Sequence, residues 1–372
     1  MTDYEHFETI IIGGGQAGLN VAYQLWKAGR PFVILDAHER VGDAWRKRWD
    51  SLQLFTPARF NALPGLPFPA GRGDVVTKDQ MADYLESHAK HFEFPIRTGV
   101  PVDKLVKRGD RFLIAAGEQR LSAEHVVVAM SNYQVPRVPP FARHLSGDIL
   151  QLHSKEYKNP SQLRPGRVLV VGAGNSAADI ALELSSSHAV TMAGRETGVI
   201  PFRIEPFIAR HFLISLVRFV GHFVLSQRTP LGRRVRRAML HRAGPLVRVK
   251  PEDLVAAGVE RTGRVVAVEG GLPVLEDGTR LKVDNVVWCT GFRPGFTWID
   301  LPIFDEHGEP AHVRGEVPEV PGLYFVGLHF QFAATSDTVT GVARDARHVV
   351  RRLLSRRRAP LAVRQPVARP GT

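Results

Sequence analysis

The sequence predicts an α/β fold of two doubly wound parallel-sheet units, and three observations carry that expectation. Residues 9–18, TIIIGGGQAG, are an apolar run that enters a glycine turn and then a helix-forming segment. Residues 167–177, RVLVVGAGNSA, repeat the plan. Each unit later ends in an apolar strand at a matching distance, 116 positions from Gly13 to Ala129 and 117 from Gly172 to Cys289. Accidental glycine turns would not share that internal spacing, so the chain reads as two Rossmann-like dinucleotide-binding units on one plan.

In the first unit Gly13, Gly15 and Gly18 fit G-x-G-x-x-G. The first glycine permits the tight turn, the second lets a pyrophosphate approach the backbone, and the third lets helix pack on strand. A phosphate there meets free N–H groups and the positive end of a helix. Helical spacing over 16–28 closes at Gly29, and the strand 32–35 leads to Asp36, 18 positions past Gly18, where an acid binds ribose hydroxyls. Residues 42–57, rich in Trp and Arg, read as a loop laid along the dinucleotide. Arg46, Arg48 and Arg59 suit phosphate or carbonyl contacts there, whereas Trp45 and Trp49 suit a core equally well. Three prolines keep 60–69 irregular, and 79–91 is a helix with Met81, Tyr84, Leu85 and His88 on one face. Short strands follow at 100–106, 111–115 and 126–129. PRVPPF at 136–141 excludes regular structure and marks a linker, with a second boundary near 160–166.

The second unit has Gly172 and Gly174, with Ala177 as the small third residue, then a helix over 175–187 and a strand over 189–192. Arg195 lies 18 positions past Ala177, in the place Asp36 holds in the first unit. An acid suits a free ribose and an arginine binds a 2′-phosphate, so the first unit is read as taking FAD and the second NADPH. A meander over 265–281 precedes the strand 286–289. Between strand and meander, 207–225 is apolar but interrupted by Arg210, His211, Arg218 and His222, of which His211, Arg218 and His222 recur at helical spacing. It reads as an amphipathic helix, not a span, followed by a second helix at 231–241 with Thr229 as N-cap and Pro230 first. A lid, a homodimer contact and a peripheral membrane contact through 207–242 are the competing roles, lid or dimer being preferred. The chain ends with a strand at 323–326, a turn at Gly327 and a helix from about 338.

Composition narrows the function classes. The chain has 372 residues and one cysteine, Cys289, so neither a disulfide framework nor a C-x-x-C centre exists. The start, MTDYEHFE, lacks the pattern of a secretory signal, and a cytoplasmic protein is expected. Net charge is +12, yet 206–251 carries ten Lys or Arg with no acid and 344–372 carries nine Arg against Asp345 alone. The rest of the chain is therefore about −6, a mildly acidic body bearing two basic segments. No groove-reading motif accompanies them, so no nucleic-acid partner is expected. No His, Cys, Asp and Glu grouping points to a metal.

With these motifs in place, the chain resembles the flavin-containing monooxygenases, and within them the bacterial branch labelled as potassium-transport flavoproteins. The matching stretches are GGGQAG, the G-x-x-W-x-x-R loop with Gly42, Trp45 and Arg48, GAGNSA with Asn175 and Ser176, CTGF at 289–292 and PGLYFVGL at 321–328. The family's F-x-G-x-x-x-H-x-x-x-Y/F motif is altered here: Leu145 replaces Phe, Gly147 stands six positions before His153, and the step from His153 to Tyr157 is kept. The first strand end is also altered, to Met130, Ser131 and Asn132. Tyr157, where the Baeyer-Villiger branch has Trp, favours oxygenation at N or S.

The tail at 359–372, rich in proline and arginine, is expected to be basic and disordered. The resemblance implies a discontinuous FAD domain at 1–160 and 284–358 and an inserted NADPH domain at 161–283 containing the helical insertion 206–250. It implies cofactor contacts from Gln16, Ala17, Ala37, Arg40, Trp45, Arg48, Leu54, Thr56, Val102, Ala129, Thr290, Gly291, Gly327, Leu328 and Gln331. Asn61 is the expected partner of an oxygen adduct at flavin C4a, a peroxyflavin that oxygenates a small organic substrate with O₂. His153 is a linker hinge, a cofactor contact or simply a structural histidine. Two alternatives share every cofactor motif: an NADPH-dependent flavin oxidase or reductase, and a redox-sensing flavoprotein that regulates a transporter. A thioredoxin-reductase-like activity is disfavoured because Cys289 has no partner.

Overall fold

A computed structural model of the chain describes residues 4–204, 206–239 and 244–356. The expected tail at 359–372, and residues 240–241 of the expected second insertion helix, lie outside the described residues. Two mainly parallel sheets form the frame. The first has seven strands in the order Ile96–Arg97, Phe32–Leu35, Glu5–Ile12, Gln119–Val128, Arg111–Ala116 and Lys104–Arg108, with Leu323–Phe325 beside Gln119–Val128. The second has five parallel strands, Leu150–His153, Asn285–Trp288, Arg167–Val171, Ala189–Ala193 and Glu260–Thr262. Two of these, Leu150–His153 and Asn285–Trp288, lie outside 161–283, so sheet membership carries the second unit further along the chain on both sides.

Ile10, Ile11 and Leu35 and the end of Gln119–Val128 are buried on both faces, the condition of a parallel sheet covered on both sides. Helices Gln16–Lys27, Lys78–His91 and Val342–Ser355 cover one face. Gln119–Val128 is longer than the expected 126–129 because it serves two partners along one edge: Ala123 faces Phe112 antiparallel, and Val126 faces Leu323 in parallel. Three local expectations change. The strand expected at 100–106 lies at Lys104–Arg108. Within 42–57 lie a one-turn helix, Asp43–Arg46, and a strand, Gln53–Pro57, that pairs with Val75–Thr77. Within 136–141, Pro136 belongs to a two-residue ladder, Val135–Pro136 against Phe292–Arg293, where the chain crosses from one unit to the other and back. Proline lacks only the donor, so at this edge its carbonyl still serves.

The insertion is helical as expected, but Ala209–Leu213 and Val220–Val224 are π turns flanking Ile214–Phe219. The second helix, Pro230–Met239, is capped by Thr229, whose Oγ1 accepts from Gly232 N at 2.9 Å. Of the expected polar stripe, Arg218 and His222 turn inward. His222 Nδ1 meets Thr335 Oγ1 at 3.1 Å, and the Arg218 guanidinium lies 5.1 Å from the centre of the Phe60 ring.

Candidate dinucleotide and flavin site

The two glycine turns superpose in their bonding. Gly13 N donates to Leu35 O and Gly172 N to Ala193 O, both at 2.8 Å. Both first glycines have positive φ, 108° and 132°, and a Cβ on them would press on the strand-end carbonyls of Ala129 and Cys289. A Cβ on Gly18 would lie 1.9 Å from Gly13 O, whereas Ala177 fits at the equivalent place. The helices that follow start from Gly15 and Gly174, which have no side-chain cap and no acid in the first turn. By contrast, Lys78–His91 opens with a full capping box from Thr77 and Gln80. Uncapped first-turn N–H groups need an outside acceptor, and nothing lies within 4 Å of a Cβ built on Gly15. A dinucleotide pyrophosphate fits both starts.

Asp36 is buried. Gly14 N donates to its Oδ2 at 2.6 Å, and His38 N donates to its Oδ1 at 2.7 Å with the His38 ring at 3.0 Å. Burial works against the charge, but the bonds to His38 and Gly14 outweigh it and hold the carboxyl below its usual range. Carboxylate oxygens carry about four acceptor sites, so the lone pairs left over suit a ribose hydroxyl. Arg195 is exposed beyond Ala189–Ala193 and pairs with no acid among the described residues. Gly194 packs 3.1 Å from Ala173 as a Cβ would see it, so Arg195 stands beside the second glycine turn.

The other expected contacts divide. Trp45 Nε1 reaches Gln16 Oε1 at 3.4 Å, which brings the Trp-rich loop to the first helix start, while Trp49 is core. Arg48 is enclosed, burial lowers its pKa, and it pairs with no carboxylate among the described residues; its guanidinium lies 5.5 Å from the Phe292 ring. That leaves Arg48 fit for an anionic or carbonyl partner. Arg46 is taken instead by Asp83 and Glu86, each at 2.7 Å, and ties the loop to helix Lys78–His91. Arg59 stacks on Phe60, and Arg40 is exposed with a 3.4 Å contact to Asp43. Ala37 is exposed, Val102 packs on the first unit's core, and Leu54 and Thr56 lie on Gln53–Pro57.

Asn61, the expected catalytic residue, is fully buried: its Oδ1 accepts from Thr56 Oγ1 at 2.6 Å and its Nδ2 donates to Thr56 O at 2.9 Å. The amide clamps the 56–61 turn. Gln331 acts likewise, donating to Phe325 O at 2.9 Å and accepting from Leu328 N at 3.3 Å, which shapes the turn at Gly327 where the chain meets Ala17. Asn175 bonds Pro245 O and Val247 N, both at 2.9 Å, and so draws the segment after the insertion onto the second glycine turn, beside half-buried Ser176. Thr290 Oγ1 bonds Arg137 O at the crossing, next to Gly291.

His153 is buried, with Nε2 3.1 Å from Gly291 O and Nδ1 accepting from Lys155 N at 3.1 Å. Burial lowers its pKa, and both ring nitrogens are satisfied in one neutral tautomer. Tyr157 is core and donates to Glu183 Oε2 at 2.8 Å. Phe292 collects three groups: Arg48, the His153 ring at 5.0 Å and the Tyr133 ring at 5.9 Å. Tyr133 was not expected. Its hydroxyl donates to Asp337 Oδ2 at 3.1 Å, and the same oxygen lies 2.8 Å from His329 Nδ1. Burial opposes the charged ring, yet Asp337 raises the His329 pKa. The only signal in the sequence was the altered strand end before Tyr133.

The family model described as pyridine nucleotide-disulphide oxidoreductase matches residues 10–211. The chain belongs to that family. Within this oxidoreductase family it stands with the flavin monooxygenases. A CzcO-like oxidoreductase of Geobacillus kaustophilus is 36% identical over 357 residues, 94% of this chain and 98% of its own. The probable indole-3-pyruvate monooxygenase YUCCA9 of Arabidopsis thaliana is 26% identical over 391 residues, covering 92% and 89%. A flavin-containing monooxygenase structure from Stenotrophomonas maltophilia superposes with a TM-score of 0.76 at 26% identity, covering 94% and 98%. The expectations of a two-dinucleotide-domain flavoprotein fold, of a flavin-dependent oxidoreductase and of FAD and NADPH as its cofactors therefore stand. Despite the family's name, the chain has a single cysteine, the half-buried Cys289, and desolvation pushes its thiol up to about 12.

Proposed function

We propose that the protein is an FAD-dependent monooxygenase that draws electrons from NADPH and transfers one oxygen of O₂ to N or S of a small organic substrate, in the cytoplasm. The observation that carries this is the pair of uncapped glycine helix starts in a chain with a single cysteine. Two dinucleotides can be held, and electrons leaving the flavin have no dithiol to enter. Bound FAD supplies hydride acceptance and O₂ activation, chemistry that no side chain here offers.

The chain's own residues do the rest. The turn Gly13–Gly18 and Asp36 hold the FAD pyrophosphate and ribose. Gly172, Gly174 and Ala177 hold the second pyrophosphate, and Arg195 binds the 2′-phosphate by charge-assisted bonds. Arg48, enclosed without an acid, offers a fixed positive charge at the crossing between units. Phe292 packs against the Tyr133 and His153 rings at that crossing.

The test uses FAD-loaded protein with NADPH, a panel of small amines and thioethers, and isotopically labelled O₂. One labelled oxygen in the product, with hydrogen peroxide below the NADPH consumed, supports the reading. Stoichiometric peroxide and unlabelled substrates throughout would reject oxygen transfer in favour of an oxidase.

A further inference from the structure

The helical insertion is amphipathic with the usual sense inverted. Arg218 and His222 face the protein, where Arg344 Nη1 also donates to His222 O at 2.5 Å and Gln227 Nε2 to Gln331 O at 2.9 Å. Burial, with Arg344 and Arg218 alongside, drops His222 to about 4, so it is neutral in that seat. Ser226 bridges Ala333, and Gly232 packs so tightly on Ser226 that the second helix is locked to the first. These contacts fix the orientation over residues 218–232. Outward point Ile208, Phe212, Leu216, Phe219, Phe223 and, from the second helix, Leu231, each 52–67% exposed. Single exposed apolar residues need no explanation, but a continuous apolar stripe along one helical segment marks a surface that meets an apolar phase.

The surrounding charge selects the occupant. Residues 206–251 hold ten Lys or Arg and no acid, and Arg228, Arg233, Arg234 and Arg237 are exposed beside the stripe. A second copy of the chain would bring these four exposed arginines face to face with their counterparts. An anionic lipid surface offers both a hydrocarbon boundary and the opposite charge. No helix among the described residues is long and apolar enough to cross a membrane, so the helix lies in the interface. We propose that residues 207–237 dock the protein on an anionic bilayer surface, with the Phe212, Phe219 and Phe223 side chains inserted between headgroups and the arginines on lipid phosphates.

The experiment is flotation of the full FAD-loaded chain with phosphatidylcholine vesicles, with and without about one-third phosphatidylglycerol. It needs no turnover, so its outcome is independent of the oxygenase reading. The expected result is co-flotation with the anionic vesicles, release by high salt, and weak association with phosphatidylcholine alone. Phe219→Glu with Phe223→Glu should lower partitioning about tenfold or more, with flavin content and Tm unchanged because both side chains are exposed. Arg233→Gln with Arg234→Gln should lower it about fivefold per arginine and carries the test even if the aromatic variant fails to fold. Absence of binding to anionic vesicles at low salt overturns the proposal. So does a wild-type dimer that the aromatic variant converts to monomer, which would assign the face to a second copy.

Discussion

The two glycine turns are copies in backbone and opposites in side chains. Both begin with a positive-φ glycine bonded to the neighbouring strand and both release an uncapped helix. The first is finished by a buried acid already gripped by Gly14 and His38, the second by an exposed arginine with no acidic partner among the described residues. The first is therefore organised before its nucleotide arrives, as suits a resident cofactor. The second leaves its anion-binding charge in solvent, as suits a nucleotide that comes and goes.

The difference between the turns can be broken most severely at the third small position. Gly18→Ala places a methyl group against Gly13 O, whereas Ala177→Gly only removes one. The first should cut FAD retention about tenfold or more, read as flavin absorbance per protein, and the second should leave it unchanged. Next in size is specificity: Arg195→Gln should raise KM for NADPH about tenfold while KM for NADH stays level, since one charge-assisted bond contributes about 1.5–3 kcal/mol. Equal effects on both nucleotides would remove the 2′-phosphate role.

A smaller effect concerns acid stability. His329 gains Asp337 on folding, so its folded pKa lies above the unfolded value of about 6.5. The stabilisation is complete below that unfolded value and fades as pH rises through the raised folded one. Asp337→Asn should lower Tm by a few degrees under mildly acidic conditions, with the gap narrowing at alkaline pH. A gap that widens with pH would contradict the assignment. The smallest effect belongs to Cys289→Ser, which should leave NADPH turnover unchanged; loss of turnover would mean the thiol takes part after all.

Much of the frame was legible because its signals are local. The first helix, the strand Phe32–Leu35 and helix Lys78–His91 follow from periodicity, and both turns follow from glycine spacing. Gln53–Pro57 was hidden because a five-residue strand with a broken register shows no alternation. The site was less legible. Phe292 gathers Arg48, Tyr133 and His153 from three distant segments, and that meeting is made by the crossing rather than by any motif. The direction in which the insertion faces was not legible, because hydropathy gives the period of a helix but not its orientation, and here Phe60 and Thr335 supply partners for its polar side.

The ladder of Val135–Pro136 against Phe292–Arg293 has a topological consequence. The chain leaves the first unit and returns to it through neighbouring backbone positions, with Arg137 N bonded to Gly291 O at 3.0 Å. The two ends of the inserted segment are therefore already joined in space, and closing the parent chain across them costs little loop entropy. Such a seam is where one gene segment can be spliced into another without disturbing the host sheet. A chain from which 137–291 is excised and replaced by a short glycine linker should still fold its first sheet and hold FAD; failure to retain flavin would show that the host needs its guest.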